Sequence, residues 1–239
     1  MSLPPESSQS SSFPPPYPPF IPVITVDGPG GVGKGTLSIA LAQHLGWHFL
    51  DSGAFYRLLA LAAIQLRLNF ADETRLQALA TQMVIEFKGD NVLLDGQDVT
   101  SSIRSEACGR LASQIAVFPL VRAAILVRTR AFKALPGLVA DGRDMGTVVF
   151  PEAFLKVFLT ASPETRAKRR YYQLKEAGYS VNLQSLLAEI EARDKRDQER
   201  AIAPLKQAED AVVIDTTDLG REVVFDQVLA EAKRRLSSV

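Results

Sequence analysis

The chain of 239 residues predicts an α/β fold, a five-stranded parallel sheet with helices on both faces. Five short apolar runs, at 23–26, 48–50, 138–140, 155–159 and 211–214, alternate with helical patterns. Near-continuous apolar strands separated by helices belong to a parallel sheet covered on both sides. A glycine-rich loop at 28–36 also joins the first of these runs directly to a helix. Right-handed crossovers are expected, with ligands bound outside the carboxyl ends of the strands.

The first strand contains Ile24-Thr25-Val26 and leads into Gly28-Pro29-Gly30-Gly31-Val32-Gly33-Lys34-Gly35-Thr36. Leu37-Ser38-Ile39-Ala40-Leu41-Ala42 follows as a helix. Strand, glycine-rich loop carrying Gly-Lys, then helix is the setting of a phosphate-binding P-loop. Glycines let backbone N–H groups approach phosphate oxygens without Cβ clashes. The helix N-terminus adds unpaired donors and the positive end of its dipole. Lys34 supplies a mobile, solvent-facing cation for the β- and γ-phosphates. The residue after this lysine is commonly Ser or Thr, whose hydroxyl binds Mg2+. Here it is Gly35, with Thr36 one position later. Mg2+ is therefore expected mainly on phosphate oxygens and water, which suits its reluctance to dehydrate.

The second strand ends in Asp51-Ser52-Gly53-Ala54-Phe55-Tyr56-Arg57, where Ser52 can cap a helix over 54–67. A helix over 73–82 comes next. Residues 83–100 break the rhythm. Met83-Val84-Ile85-Glu86-Phe87 alternates, Gly89-Asp90-Asn91 turns, Val92-Leu93-Leu94 returns, and Gly96-Gln97 turns again before Asp98-Val99. The pattern reads as a small antiparallel meander attached to the α/β core rather than part of it. Helices over 105–117 and from Pro119 to about residue 132 lead to the third strand. After the fourth, Ser162-Pro163-Glu164 is a start signal: Ser caps, Pro takes the first turn, and Glu meets the dipole. That helix runs to about Lys175 and stops near Gly178. A further helix over 183–202 is ended by Pro204, and one over 221–236 closes the chain.

The polar residues just past the strand ends are the candidates for chemistry. Arg57, with Ser52 and Tyr56, reads either as an acceptor-phosphate site or as an ordinary cap with a surface arginine. Asp141-Gly142-Arg143-Asp144-Met145-Gly146-Thr147 follows the third strand. Asp141 can hold water on Mg2+, Arg143 can grip a phosphate, and Asp144 can accept from an exocyclic amine; a tight Asp-Gly turn is the plainer alternative. Arg166, Arg169 and Arg170 share one helix face by their i, i+3, i+4 spacing, as do Arg193, Asp197 and Arg200 at i, i+4, i+7. Asp194, Lys195, Arg196, Gln198 and Glu199 make the second of these helices charged nearly all round. That favours an element that closes through solvent over a substrate rather than one packed in the core.

Composition narrows the partners. Formal net charge is zero, so no global field draws in nucleic acid. Arginine outnumbers lysine, and its planar fork suits bidentate phosphate contact. The single Cys108 excludes an internal disulfide and reads as packing. His44 and His48, on the first helix and second strand, have no metal-like partners. No apolar stretch approaches the length of a membrane span. The Pro/Ser-rich residues 1–21 lack the layout of a secretory signal and read as a disordered tail. A cytoplasmic monomer without membrane or nucleic-acid partners is expected.

Residues 27–36, 51–57, 141–150 and 193–205 together resemble bacterial cytidylate kinases, among the nucleoside monophosphate kinases. The likeness runs from about Pro22 to the C-terminus. The Asp-Gly-Arg-Asp-Met-Gly-Thr and Arg-Asp-x-x-Asp-x-x-Arg runs are its most specific parts. It implies the P-loop nucleoside monophosphate kinase fold with a small antiparallel insert and a helical lid. ATP would give its γ-phosphate to CMP or dCMP, with Mg2+ as cofactor. Gly28 to Thr36, with Arg169 and Arg170, would bind ATP. Ser52, Tyr56 and Arg57 would line the CMP site, with Arg57 and Arg143 on the acceptor phosphate. Ser113, Arg122 and Asp144 match positions that recognise cytosine. Arg193 and Asp197 match positions near the ribose, and Arg200 one near the phosphate or base. Lys34, Arg143, Arg193 and Arg200 would assist transfer. The implied division is a core at 22–51, 108–165 and 204–239, a monophosphate-binding region at 52–107 with its insert at 83–100, and a lid at 166–203. A kinase of the same architecture acting on UMP, AMP or dTMP is the alternative. A regulatory nucleotide switch is disfavoured by Gly35 and by the lack of a guanine-reading Asn-Lys-x-Asp motif, and a non-catalytic binding module by Lys34.

Overall fold

The computed structural model describes residues 20–88 and 91–237. The expected tail, apart from Phe20 and Ile21, and the turn at Gly89-Asp90 lie outside the described residues. In chain order the elements are β1 (Val23–Asp27), α1 (Lys34–Leu45), β2 (His48–Asp51), α2 (Ser52–Gln65), α3 (Glu73–Gln82), β3 (Ile85–Lys88), β4 (Asn91–Leu94) and β5 (Gln97–Asp98). There follow α4 (Thr100–Ile103), α5 (Glu106–Ile115), α6 (Pro119–Arg130), β6 (Leu138–Gly142) and a π-helical turn (Met145–Val149). The chain continues through β7 (Leu155–Thr160), α7 (Pro163–Glu176), α8 (Leu183–Gln198), β8 (Val212–Asp215) and α9 (Arg221–Leu236).

The main sheet has the order β2-β6-β1-β7-β8, and every pairing is parallel. Strand alternation sends Ile24, Val26 and Val139 to one apolar layer, where α1 and α9 pack. Val23, Leu138 and Ala140 face the other layer, which is filled from α2, α3, α5 and α6. Burying a side chain such as Leu59 there contributes roughly 1.5–3 kcal/mol. Register then fixes the rim. Asp51 pairs with Asp141 across β2–β6, and Asp27 with Gly142 across β1–β6. Three carboxylates and the start of the glycine loop thus leave the sheet at one edge.

Several local expectations are corrected. Helix α2 begins at Ser52 because the Asp51 carboxylate, not Ser52, caps it by accepting from Gly53 N at 2.9 Å. Helix α8 stops at Gln198 rather than 202. The Leu205 N–H donates to Asp197 O at 2.7 Å, folding the chain back on the last turn and burying Leu205. The meander is a separate sheet of order β3-β4-β5, but it is not a separate core. Leu94 and Val99 belong to the α2–α6 cluster, and the Phe87 ring lies 6.0 Å from Phe55 and 5.6 Å from Phe132. Cys108 is buried, as expected, its Sγ donating to Arg57 O at 3.1 Å. Among the described residues no single helix is long and apolar enough to cross a membrane.

Candidate active site

The glycine loop turns sharply from β1 into α1. At Gly28, φ is +145°, and an added Cβ would stand 2.2 Å from Leu159 O, so only glycine fits. Val32 buries its side chain in the core, which leaves its backbone alone to face a ligand. Thr36 is exposed. Lys34 departs from the expected solvent-facing position: it is 6 % exposed. Its Nζ donates to Pro29 O at 2.8 Å and lies 3.9 Å from Asp141 Oδ1. Burial, reinforced by the Arg143 charge, lowers the Lys34 pKa to about 7. Burial also pushes the Asp141 carboxyl well up, against the pull of Lys34. A Cβ at position 35 would stand 3.4 Å from Asp141 Oδ2, in ordinary contact with the carboxylate.

Two guanidinium groups reach across to this loop. Arg143 Nη2 and Arg193 Nη1 approach to 3.6 and 3.8 Å of where a Cβ on Gly30 would sit. Asp197, 1 % exposed, organises them. Its Oδ2 accepts from Arg143 Nε at 2.9 Å, and its Oδ1 accepts from Arg200 Nη2. Burial opposes the Asp197 charge, yet Arg143 and Arg200 hold its pKa below the ordinary value. Burial and Arg143 lower Arg193 to about 10. The Nε atoms of Arg193 and Arg200 are buried with no hydrogen-bond partner. Asp197 thus gives helix α8 a buried functional edge, whereas Lys195 and Glu199 stay in solvent.

Beside this cluster lies a second one. Arg122 Nη2 pairs with Asp144 Oδ2, and both residues are buried. Arg122 also donates from Nη1 to Ala116 O at 3.1 Å and stands 5.9 Å from the Tyr56 ring centroid. Burial raises the Tyr56 hydroxyl pKa to about 12. Ser113 is buried, and its Oγ has no partner. Ser52 Oγ donates to Asp141 O at 2.8 Å, tying the start of α2 to β6. Arg57 is not a free surface arginine: Nη1 donates to Ile103 O at 2.8 Å, and its guanidinium packs on Gly109.

The three arginines of α7 do not act as one face. Arg166 donates to Gly30 O at 3.1 Å and Ala161 O at 3.0 Å and forms a two-pronged pair with Asp194 of α8. Arg169 donates to Thr216 Oγ1 at 3.1 Å and to Thr216 O, while Thr216 Oγ1 also lies 3.2 Å from Val32 O. Arg170 pairs with Glu106 and with Gln173 Oε1 at 2.7 Å. Arg169 and Arg170 nevertheless line a cavity of about 980 Å3 with Gly31, Gly33, Thr36 and Phe225. A second cavity, about 970 Å3, is lined by Gly30, Asp51, Arg57 and Arg193. The glycine loop borders both.

The sequence marked Asp27 as a strand-end residue and Arg166 as part of a basic helix face but gave neither an organising role, and it did not single out Thr216. Asp27 accepts from Met145 N at 2.9 Å and Gly146 N at 2.8 Å. Its position at a strand end just before the loop was the one available signal. No group of three or more metal-ligating side chains occurs among the described residues. Asp141 beside the loop therefore suits a hydrated cation rather than one gripped directly.

A parallel sheet that delivers a glycine loop, a buried lysine and converging guanidinium groups to one rim defines a P-loop phosphotransferase. The sequence model of the family described as Cytidylate kinase matches residues 24–234. A cytidylate kinase of Shewanella denitrificans is 55 % identical over 222 residues, covering 90 % of this chain and 98 % of that one. One of Stutzerimonas stutzeri is 55 % identical over 221 residues, 90 % and 96 % of the two chains. One of Photorhabdus laumondii is 56 % identical over 220 residues, 90 % and 97 % of the two chains. The chain belongs to the cytidylate kinase family.

Proposed function

We propose that the protein transfers the γ-phosphoryl group of ATP to CMP or dCMP, giving ADP and the pyrimidine nucleoside diphosphate. The observation that carries this reading is the approach of Arg143 and Arg193 to Gly30 of the phosphate loop, beside the buried Tyr56–Arg122–Asp144 cluster. One site suits polyphosphate and the other a base with an exocyclic amine.

ATP lies along the loop, its phosphates on the backbone N–H groups of 28–36 and on Lys34. Arg169 and Arg170 border its cavity. CMP occupies the other side, with Arg57 and Arg143 toward its phosphate, Ser52, Ser113, Tyr56, Arg122 and Asp144 around the pyrimidine, and Asp197 near the ribose. The acceptor oxygen is already anionic, so no catalytic base is required, and catalysis is positioning plus neutralisation of charge. Lys34, Arg143, Arg193 and Arg200 supply that charge in a dry site, where it counts most. When bound, Mg2+ would neutralise the β- and γ-oxygens, with Asp141 accepting from its water shell. Residues 166–203 form the lid, and its closure excludes water that would otherwise hydrolyse ATP.

Initial rates with CMP, dCMP, UMP, AMP and dTMP test the assignment. CMP and dCMP should lead UMP and dTMP by at least about a hundredfold, because a base without the amine leaves the buried Asp144 carboxylate without that donor. Equal turnover of AMP would remove the cytosine assignment.

A further inference from the structure

Asp144 stands at the N-terminus of the π-helical turn Met145–Val149, where an aspartate side chain ordinarily accepts from the second or third N–H of its own helix. It makes no such bond. One of the donors it would take is already used: Asp27, from β1, accepts from Gly146 N at 2.8 Å, as well as from Met145 N at 2.9 Å. The Asp144 carboxylate is consequently released and meets Arg122. The turn is also pressed onto β1, since a Cβ on Gly146 would lie 2.8 Å from Thr25 Oγ1. Strand β1 thus holds both ends of the device, feeding the phosphate loop directly after Asp27.

We infer that Asp27 is a positioning residue for pyrimidine selection: by capping the 145–149 turn from another strand, it frees the Asp144 carboxylate to face Arg122 and the base. This rests on the assignment of CMP as acceptor. A second buried carboxylate beside Asp144 is an expensive cap. Burial raises the Asp27 pKa to about 6 although two N–H groups favour the charged form, and the neighbouring Asp144 raises it further. A site under such tension is the usual mark of a functional constraint. Asp27 touches neither nucleotide in this reading and acts through Asp144.

The test is Asp27→Asn, which keeps the shape but offers one acceptor oxygen instead of two, so that Asp144 competes to cap its own turn. The ratio of kcat/KM for CMP to that for UMP should fall by about tenfold. In an Asp144→Ala background the same change should lower the ratio no further, because the two residues act as one path. Asp27→Glu shifts both acceptors by a methylene and carries the same readout if D27N does not fold. An unchanged CMP:UMP ratio in the single variant, or a second, additive fall in the double variant, overturns the inference. A wild-type enzyme that does not phosphorylate CMP instead removes the acceptor assignment, which separates the two failures.

Discussion

Arg143 Nε donates to Asp197 Oδ2 at 2.9 Å, joining the end of β6 to a helix that follows it by some fifty residues. The pair is what turns α8 toward the phosphate loop. Asp197 is the carboxylate between Arg143 and Arg200, with Arg193 one turn away. Asp197→Ala should leave these buried guanidinium groups repelling one another, at a cost of about 3–5 kcal/mol. Inorganic phosphate, replacing the missing charge, should raise the melting temperature of the variant more than that of wild type. Equal shifts in a thermal melt would contradict this.

Asp144→Ala is expected to lose more activity with CMP than with UMP, since the carboxylate reads an amine that cytosine carries and uracil does not. It also strands Arg122 in a buried site, with a further loss of about 3 kcal/mol in stability by urea unfolding. Equal losses with both nucleotides would strip Asp144 of its reading role.

For Lys34→Ala, the transfer rate should fall by about a thousandfold, the upper range for one preorganised donor. The fold should persist. Asp141, already pushed up by burial, takes a proton once its cationic neighbour is gone. Single-turnover kinetics that match wild type would mean the loop does not bind the transferred phosphate.

The same burial predicts a pH signature. In the free enzyme Lys34 loses its proton near pH 7, far below the ordinary value of 10.5. ATP phosphates favour the charged form and raise that pKa. The alkaline limb of kcat/KM for ATP should therefore lie at lower pH than the limb of kcat. Coinciding limbs would exclude Lys34 as their source. Asp27 contributes to stability in the opposite direction to a salt-bridged carboxylate. Its folded pKa of about 6 exceeds the unfolded 3.8, so its contribution grows as pH falls through that interval. The stability difference between wild type and D27N should change there and be flat above pH 7.

The α/β layout was legible because alternation and strand length are local signals. Four of the five parallel strands fall within a residue of their expected limits, and β6 runs two residues further, to Gly142, since apolar runs such as Leu155–Thr160 have no other way to be buried. The glycine loop and the Arg193–Asp197 edge were legible for a related reason, local spacing, whereas Arg200 lies past the end of α8 and joins them through its bond to Asp197. What spacing could not reveal was direction relative to distant elements. Lys34 read as solvent-facing because nothing local says that Asp141 stands opposite. Arg166, Arg169 and Arg170 read as one face, yet their partners are Asp194, Thr216 and Glu106, each from a different part of the chain. Asp27 stood out only by its place at a strand end, and its role was hidden because its two partners lie more than a hundred residues downstream.

The unsatisfied Nε atoms of Arg193 and Arg200 bear on inhibitor design. Both are buried, and no neighbouring side chain provides them with an acceptor. A compound that merely fills the acceptor pocket with hydrocarbon would leave them stranded and forfeit affinity however well its outline fits. One that brings a sulfonate or carboxamide oxygen within reach of those two nitrogens would satisfy them.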